Sequence, residues 1–329
     1  MSLDPKTIIK NAFFISKNKG QVTARVRVPG GHLEVKYLDI IKEIAGRYGN
    51  GTVHCTTRQA LAIPGIPAEK IPAVKKLLAP YIQGVEVDSG VDIKDLEGGF
   101  PAPLPHNITA CIGSRDCVMS AIDTTDLALK LERSFYPGSL VLKMGVSGCA
   151  NDCAKVHLQD VGIISMVEPL HDAARCVSCE SCVKNCAGSA SGALRMENHR
   201  VVRDDLHCLG CGECVLKCPS GAWSSGSKYY RVMIGGWTGR KHPRMAATFL
   251  EWTEEDAVFQ VIRNIYAYIE KHKKKDLLQE RLEYIIERTG YGIFKQEVLP
   301  DLKPGSKARV ARYLNFGGYP YDKGSQFES

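Results

Sequence analysis

The 329-residue sequence has no apolar run near the roughly 20 residues that a membrane-crossing helix needs. Its opening residues, Met1-Ser2-Leu3-Asp4-Pro5-Lys6, lack a charged start, an apolar centre and a small-residue cleavage site, so a cytoplasmic rather than an exported protein is expected. No G-x-G-x-x-G turn follows a predicted strand, so no nicotinamide or flavin site is evident and reducing power has to arrive from another chain. Charge of one sign is scarcely in excess: 43 Lys and Arg against 36 Asp and Glu leave +7. The only compact basic run, His272-Lys273-Lys274-Lys275, lies between two helical patterns and reads as a solvated turn, so nucleic acid is not the expected partner. A dispersed positive balance suits an anionic cofactor and an anionic substrate instead.

Cysteine is abundant, with 13 residues. In a reducing compartment thiols stay free for metal or catalysis, so a disulfide framework is not expected. Residues 21–28 alternate, with Val22, Ala24, Val26 and Val28 opposite Gln21, Thr23, Arg25 and Arg27, which predicts a half-buried strand before the turn Pro29-Gly30-Gly31. Leu38, Ile41 and Ala45 predict a helix, Val53–Ile63 a β-rich stretch, Pro67–Tyr81 a second helix and Val85–Val87 a short strand. Pro- and Gly-rich residues 98–105 read as a linker, closing a small α+β module. Beyond it, Thr125–Phe135 predicts a helix, while Ser139–Val146, His157–Met166 and Tyr229–Ile234 predict strands. Thr253 with Glu254, Glu255 and Asp256 predicts a helix start, and Leu278, Leu282 and Ile285 a further helix stopped by Gly290. The basic, Gly-rich tail from Pro304 is expected to be loosely ordered or to dock on a partner.

The strongest signal is a repeated run, Cys176-x2-Cys179-x2-Cys182-x3-Cys186 and Cys208-x2-Cys211-x2-Cys214-x3-Cys218-Pro219. In two-cluster ferredoxins three closely spaced thiolates hold one [4Fe–4S] cube and the fourth thiolate of each run ligates the other. One set is then Cys176, Cys179, Cys182 and Cys218, and the other Cys208, Cys211, Cys214 and Cys186. Two full four-cysteine runs exceed what a zinc site needs. The first run ends Cys186-Ala187 where Cys-Pro is usual. Four further cysteines, Cys111, Cys117, Cys149 and Cys153, lie beside Gly113 and Gly148. They read either as ligands of a third cluster at a strand end or as four unligated buried thiols. Cys55 is left over and reads as a structural buried cysteine.

Residues 20–65, with Thr56-Thr57-Arg58-Gln59, resemble the ferredoxin-like half-domain of the nitrite and sulfite reductases. His106-Asn107-Ile108-Thr109-Ala110-Cys111-x5-Cys117, with Val146-Ser147-Gly148-Cys149-Ala150-Asn151-Asp152-Cys153, resembles their sirohaem and [4Fe–4S] domain. The whole order, a ferredoxin inserted in a sirohaem domain, is similar to the catalytic subunits of anaerobic sulfite reductases. The resemblance implies an α+β fold with a half-domain at 1–100, a sirohaem domain at 101–170 resuming at 226–329 with C-terminal helices, and an inserted ferredoxin at 171–225. It implies sirohaem, three [4Fe–4S] clusters and six-electron reduction of sulfite, fed by a flavoprotein and an iron–sulfur subunit.

The same resemblance gives Cys153 the bridge between cluster and sirohaem iron, and gives Arg58 and Lys143 contacts with the anion. Val141 stands where the family has a second lysine, and His106 where it has arginine. His106, with an ordinary pKa near ~6.5, suits proton donation as well as packing against a haem. Arg115, inside the first cysteine loop, is a compensating cation, or else a contact to a cofactor carboxylate or the surface. The loop Gly235-Gly236-Trp237-Thr238-Gly239-Arg240-Lys241-His242-Pro243-Arg244 resembles the family's sirohaem-carboxylate loop, with Arg240, Lys241 and Arg244 for charge and glycines for close approach. Two other functions fit the residues: a sirohaem nitrite reductase, and a polyferredoxin carrier without catalysis.

Overall fold

The computed structural model describes residues 12–88, 107–135, 140, 142–239, 243–275, 277 and 280–317. The chain divides into two compact units, Met1–Cys111 with Thr125–Met144, and Ile112–Thr124 with Gly145–Ser329.

In the first unit, β1 (Phe13–Ile15), β2 (Gln21–Val26), β3 (His54–Cys55) and β4 (Leu61–Pro67) form an antiparallel sheet in the order β1-β2-β4-β3. Alternation in β2 sends Val22, Ala24 and Val26 inward, where α1 (Leu38–Arg47) adds Ile41 and Ile44, and α2 (Ile71–Asp88) adds Val74, Leu78, Tyr81 and Val85. The strand expected at Val85–Val87 is the end of α2. Leu78, Tyr81 and Val85 follow at helical spacing, so packing one apolar stripe on the sheet extends the helix past Tyr81. Cys55, expected to be buried, is exposed on the two-residue strand β3, where too few neighbours cover it. A two-residue strand β5 (Thr109–Ala110) and α3 (Thr124–Phe135) complete this unit.

The second unit is organised by one long antiparallel pair. The next strands are β6 (Met144–Ser147), β7 (Val161–His171), β8 (Leu194–Glu197), β9 (Arg200–Arg203), β10 (Trp223–Ile234), β11 (Ala247–Thr253) and β12 (Arg309–Val310). Strands β7 and β10 run from Val161↔Ile234 to His171↔Trp223, and the cysteine-rich segment leaves the His171 end and returns at Trp223. That segment holds α4 (Ser181–Ser189), the hairpin β8–β9 and α5 (Glu213–Leu216). Asn198 and His199, both left-handed, make the two-residue turn that matches strand twist. Sheet order continues β12-β11-β10-β7-β6. Arg309–Val310 of the tail therefore pairs with β11, where loose order or partner docking was expected.

Helix α6 (Glu255–His272), α7 (Leu282–Thr289) and α8 (Tyr291–Val298) close the unit. Thr253, expected to start α6, is instead the last residue of β11, and its hydroxyl donates to the Pro304 carbonyl at 3.1 Å. Gly290, with φ 93°, ends α7 and starts α8, so the expected stop is followed at once by another helix. Phe294 of α8 is fully buried, with ring centroids 5.1 Å from Phe249 and 5.0 Å from Tyr268. Phe294→Ala is expected to cost about 3–5 kcal/mol, read as a lower urea midpoint at unchanged slope.

Candidate active site

Both ferredoxin-type runs are bent the same way. Ser178 and Glu180 in the first run and Gly210 and Gly212 in the second, at equivalent offsets from Cys176 and Cys208, all have left-handed φ. Glycine takes this conformation without strain, and the first run forces it on side-chain-bearing residues. Cys176, Cys179, Cys182 and Cys218 line one cavity, with Trp223 as part of its wall. The other four form a second group. Burial raises Cys208 and Cys211, and negative charge on Cys186 raises both further. Burial, then Cys211 and Cys208, push the Cys214 thiol up to about 12. Helix α4 carries both Cys182 and Cys186, so it hands one thiol to each group. Asn185 between them donates to Glu213 Oε2 at 3.0 Å, joining α4 to α5.

Crowded, buried thiols that resist ionisation fit a bound cationic centre, which reverses the penalty by stabilising thiolate. Among the described residues no three His, Cys, Asp or Glu side chains converge tightly enough for a single metal ion. A four-iron cube bound through its corners needs its thiols spread more widely than one ion does.

The second constellation is split by the division of the chain. Cys111 ends the first unit, just after β5, and Cys117, Cys149 and Cys153 lie in the second. The Cys117 loop is tied to the Cys149 loop: Ala121 N–H donates to the Gly148 carbonyl at 3.1 Å and Ser120 N–H to the Cys117 carbonyl at 3.2 Å. A Cβ on Gly148 would lie 1.9 Å from Ser120 Oγ, so the approach requires glycine. Cys149 is buried and Cys153 exposed. Between them Asp152 has φ 49° and a buried carboxylate that accepts from Ser147 Oγ–H at 2.8 Å and Val156 N–H at 2.7 Å. Burial alone would raise this carboxyl, but bonds from His157, Val156 and Ser147 outweigh it and hold it below the usual carboxylate range.

Gly235 and Gly236 follow β10 directly. Their N–H groups donate to the Asp160 and Gln159 carbonyls at 2.8 and 2.9 Å. A Cβ on Gly236 would sit 2.3 Å from the His157 carbonyl oxygen, so this turn also depends on glycine. Arg244 pairs with Glu287 at 3.1 Å, and exposed Arg115 lies 3.7 Å from Asp123. His106, Arg240 and Lys241 lie outside the described residues.

Arg58 belongs to the first unit, as does half-buried Lys143. The Thr56–Gln59 turn is held by Gln59 N–H to the Thr56 carbonyl at 3.0 Å, and the Arg58 guanidinium donates to the Asn107 carbonyl at 2.9 Å. Gln59 is left-handed, and its amide bonds both backbone groups of Ala110, at 2.6 and 2.8 Å. Arg58 lines a cavity with Arg25, Arg27 and Asn107. Arg25 and Arg27 were visible as the polar face of the strand expected at 21–28, though β2 ends at Val26, and nothing local showed that the face borders a cavity. Burial lowers the Arg25 pKa, and its Nε, like Asn107 Oδ1, is buried with no hydrogen-bond partner among the described residues. The Arg25 Nε–H donor fits an anionic group entering the cavity, whereas Asn107 Oδ1, an acceptor, fits a donor such as water.

Residues 15–81 match the nitrite/sulfite reductase ferredoxin-like half domain, and residues 102–304 match the nitrite and sulphite reductase 4Fe-4S domain. The chain belongs to the nitrite and sulphite reductase family. It is an oxidoreductase, and all twelve cysteines of the two constellations fall within its 4Fe-4S domain. Among curated relatives of this reductase, a subunit of the anaerobic sulfite reductase of Salmonella typhimurium is 38% identical over 319 residues, covering 95% of each chain. The coenzyme F420-dependent sulfite reductase of Methanocaldococcus jannaschii is 29% identical over 285 residues, 85% of this chain and 42% of that one. Dissimilatory sulfite reductase I shares the fold, with a TM-score of 0.62 at 16% identity, covering 92% of this chain and 76% of its own. The α+β reading and the family resemblance drawn from the motifs therefore hold. Among the described residues no helix is long and apolar enough to cross a membrane.

Proposed function

We propose that this chain is the sirohaem-bearing catalytic subunit of a sulfite reductase, taking sulfite to sulfide with six electrons relayed through its ferredoxin-type clusters. The observation that carries the reading is the presence, on one chain of this family, of two ferredoxin-type cysteine groups beside the separate Cys117, Cys149 and Cys153 loops. Full-length similarity to a sulfite reductase subunit favours sulfite over nitrite. Sirohaem joined to a [4Fe–4S] cube supplies a metal that holds the reacting atom and accepts electrons one at a time.

The chain's own residues do the rest. Cys111, Cys117, Cys149 and Cys153 would hold the third cluster, with Cys153 the ligand that it would share with the haem. Arg25 and Arg58 draw anionic groups into their cavity, while Lys143, Arg115 and His106 serve the substrate's oxygens and protons. Gly235 and Gly236 let backbone approach the haem carboxylates, which Arg240, Lys241 and Arg244 neutralise. Residues 171–225 are the ferredoxin insert between the two parts of the sirohaem domain. Electrons come from a flavoprotein and an iron–sulfur subunit.

Protein purified without oxygen is expected to show haem bands and about twelve cluster irons plus one in haem. Titration with sulfite and a reduced viologen dye is expected to release sulfide, with nitrite turned over less efficiently. Eight irons without haem would reduce the chain to an electron carrier, and preferential nitrite turnover would transfer it to the nitrite reductases.

A further inference from the structure

Four separate bonds converge on the Asp152 carboxylate. Oδ1 accepts from Ser147 Oγ–H and Val156 N–H, and Oδ2 accepts from His157 N–H at 3.3 Å and lies 2.5 Å from His157 Nδ1. The 2.5 Å approach ties the His157 ring to the carboxylate by its Nδ1 edge. Ser147 Oγ also accepts from Ala154 N–H at 3.3 Å, so bonds of this group grip the backbone on both sides of Cys153.

The same histidine reaches the glycine turn. Its carbonyl accepts from Ala246 N–H at 2.8 Å and forms the floor on which Gly236 rests, with no room for a Cβ. Gly235 and Gly236 N–H groups bond the nearby carbonyls of Asp160 and Gln159. One carboxylate thus links the loop of Cys149 and Cys153 to the turn at Gly235-Gly236, which are far apart in sequence. The left-handed backbone at Asp152 and again at Lys155, φ 54°, shows that these bonds outweigh local preference.

We infer that Asp152 is a positioning residue: through His157 it holds the Cys149–Cys153 loop and the Gly235-Gly236 turn as one preformed cradle, and it fixes the His157 ring by its Nδ1 edge. The inference rests on the proposed reading of Cys149 and Cys153 as cluster ligands. Asn at 152 keeps an oxygen for Ser147 and Val156 but presents N–H groups to His157, where the carboxylate presented an acceptor. Alanine removes every bond.

The test compares full-length wild type with Asp152→Ala, Asp152→Asn and His157→Gln, all purified without oxygen, by total iron, optical spectrum, low-temperature EPR and turnover with sulfite. Asp152→Ala is expected to keep the roughly eight irons of the ferredoxin runs while the haem-linked signal changes shape or disappears, and kcat falls about 10–100-fold. Asp152→Asn and His157→Gln are expected to keep all their iron and to share one altered haem-linked signal. A wild-type signal per iron in Asp152→Ala, with kcat within about twofold, would overturn the inference even if its melting temperature drops, leaving Asp152 a folding residue alone. Wild-type protein that itself lacks haem and the third cluster would overturn the underlying reading, before any variant is compared.

Discussion

Replacing Cys153 with alanine is expected to abolish sulfide formation while leaving the ferredoxin-type clusters intact. The side chain is exposed, unlike buried Cys149, and the loop around it is held by the Asp152 bonds and not by the thiol. Removing the sulfur therefore has little effect on folding and acts on the cofactor alone. The rate is expected to fall by more than the roughly 100-fold that marks the upper range for outer-shell changes at metal sites, because a proposed bridging ligand is lost. Anaerobic iron analysis, the haem spectrum and sulfide release check it. Sulfite turnover within about tenfold of wild type would remove Cys153 from the bridge.

The largest expected effect on stability is at Glu132, far from any ferredoxin-type cysteine in sequence. Its carboxylate is 2% exposed, pairs with the Arg27 guanidinium at 2.7 Å and accepts the Ile108 N–H at 3.1 Å. Taking away one member of a buried pair leaves the other charge desolvated, which costs about 3–5 kcal/mol, and a stranded amide adds about 1–3. Glu132→Ala is expected to lose both, and Glu132→Gln, which keeps an acceptor for Ile108, less. Urea unfolding separates the two variants. Equal midpoints for wild type and alanine would show that the pair contributes nothing net.

Glu132 also shows why part of the fold could not be read in advance. Residues 125–135 are legible as a helix because apolar residues recur at its period, but a glutamate there looks like any solvated charge. Its burial depends on an arginine 105 positions earlier. The same holds for Asp152, which reads as an ordinary loop residue until four donors surround it. Arg25 sits on the face that alternation assigned to it, yet the cavity beside it is lined as well by Leu78 and Tyr81 of α2, which sequence alone does not bring there. Helix α8 was missed because Gly290, a sound stop signal for α7, does not prevent a new helix from starting at the next residue.

The order of residues was enough to establish local features: the two repeated cysteine runs, the alternation of β2, the glycines beside each cysteine pair and the resemblance these motifs carry. Spacing along a chain sets which ligands one loop can offer, because covalent geometry fixes their reach. Which distant groups meet outside those runs was decided in three dimensions: Arg27 with Glu132, Arg58 with Asn107 and the Gly236 turn with His157. Those meetings are settled by long-range packing, where burial makes each unpaired donor or charge costly and so selects the one arrangement that satisfies them together.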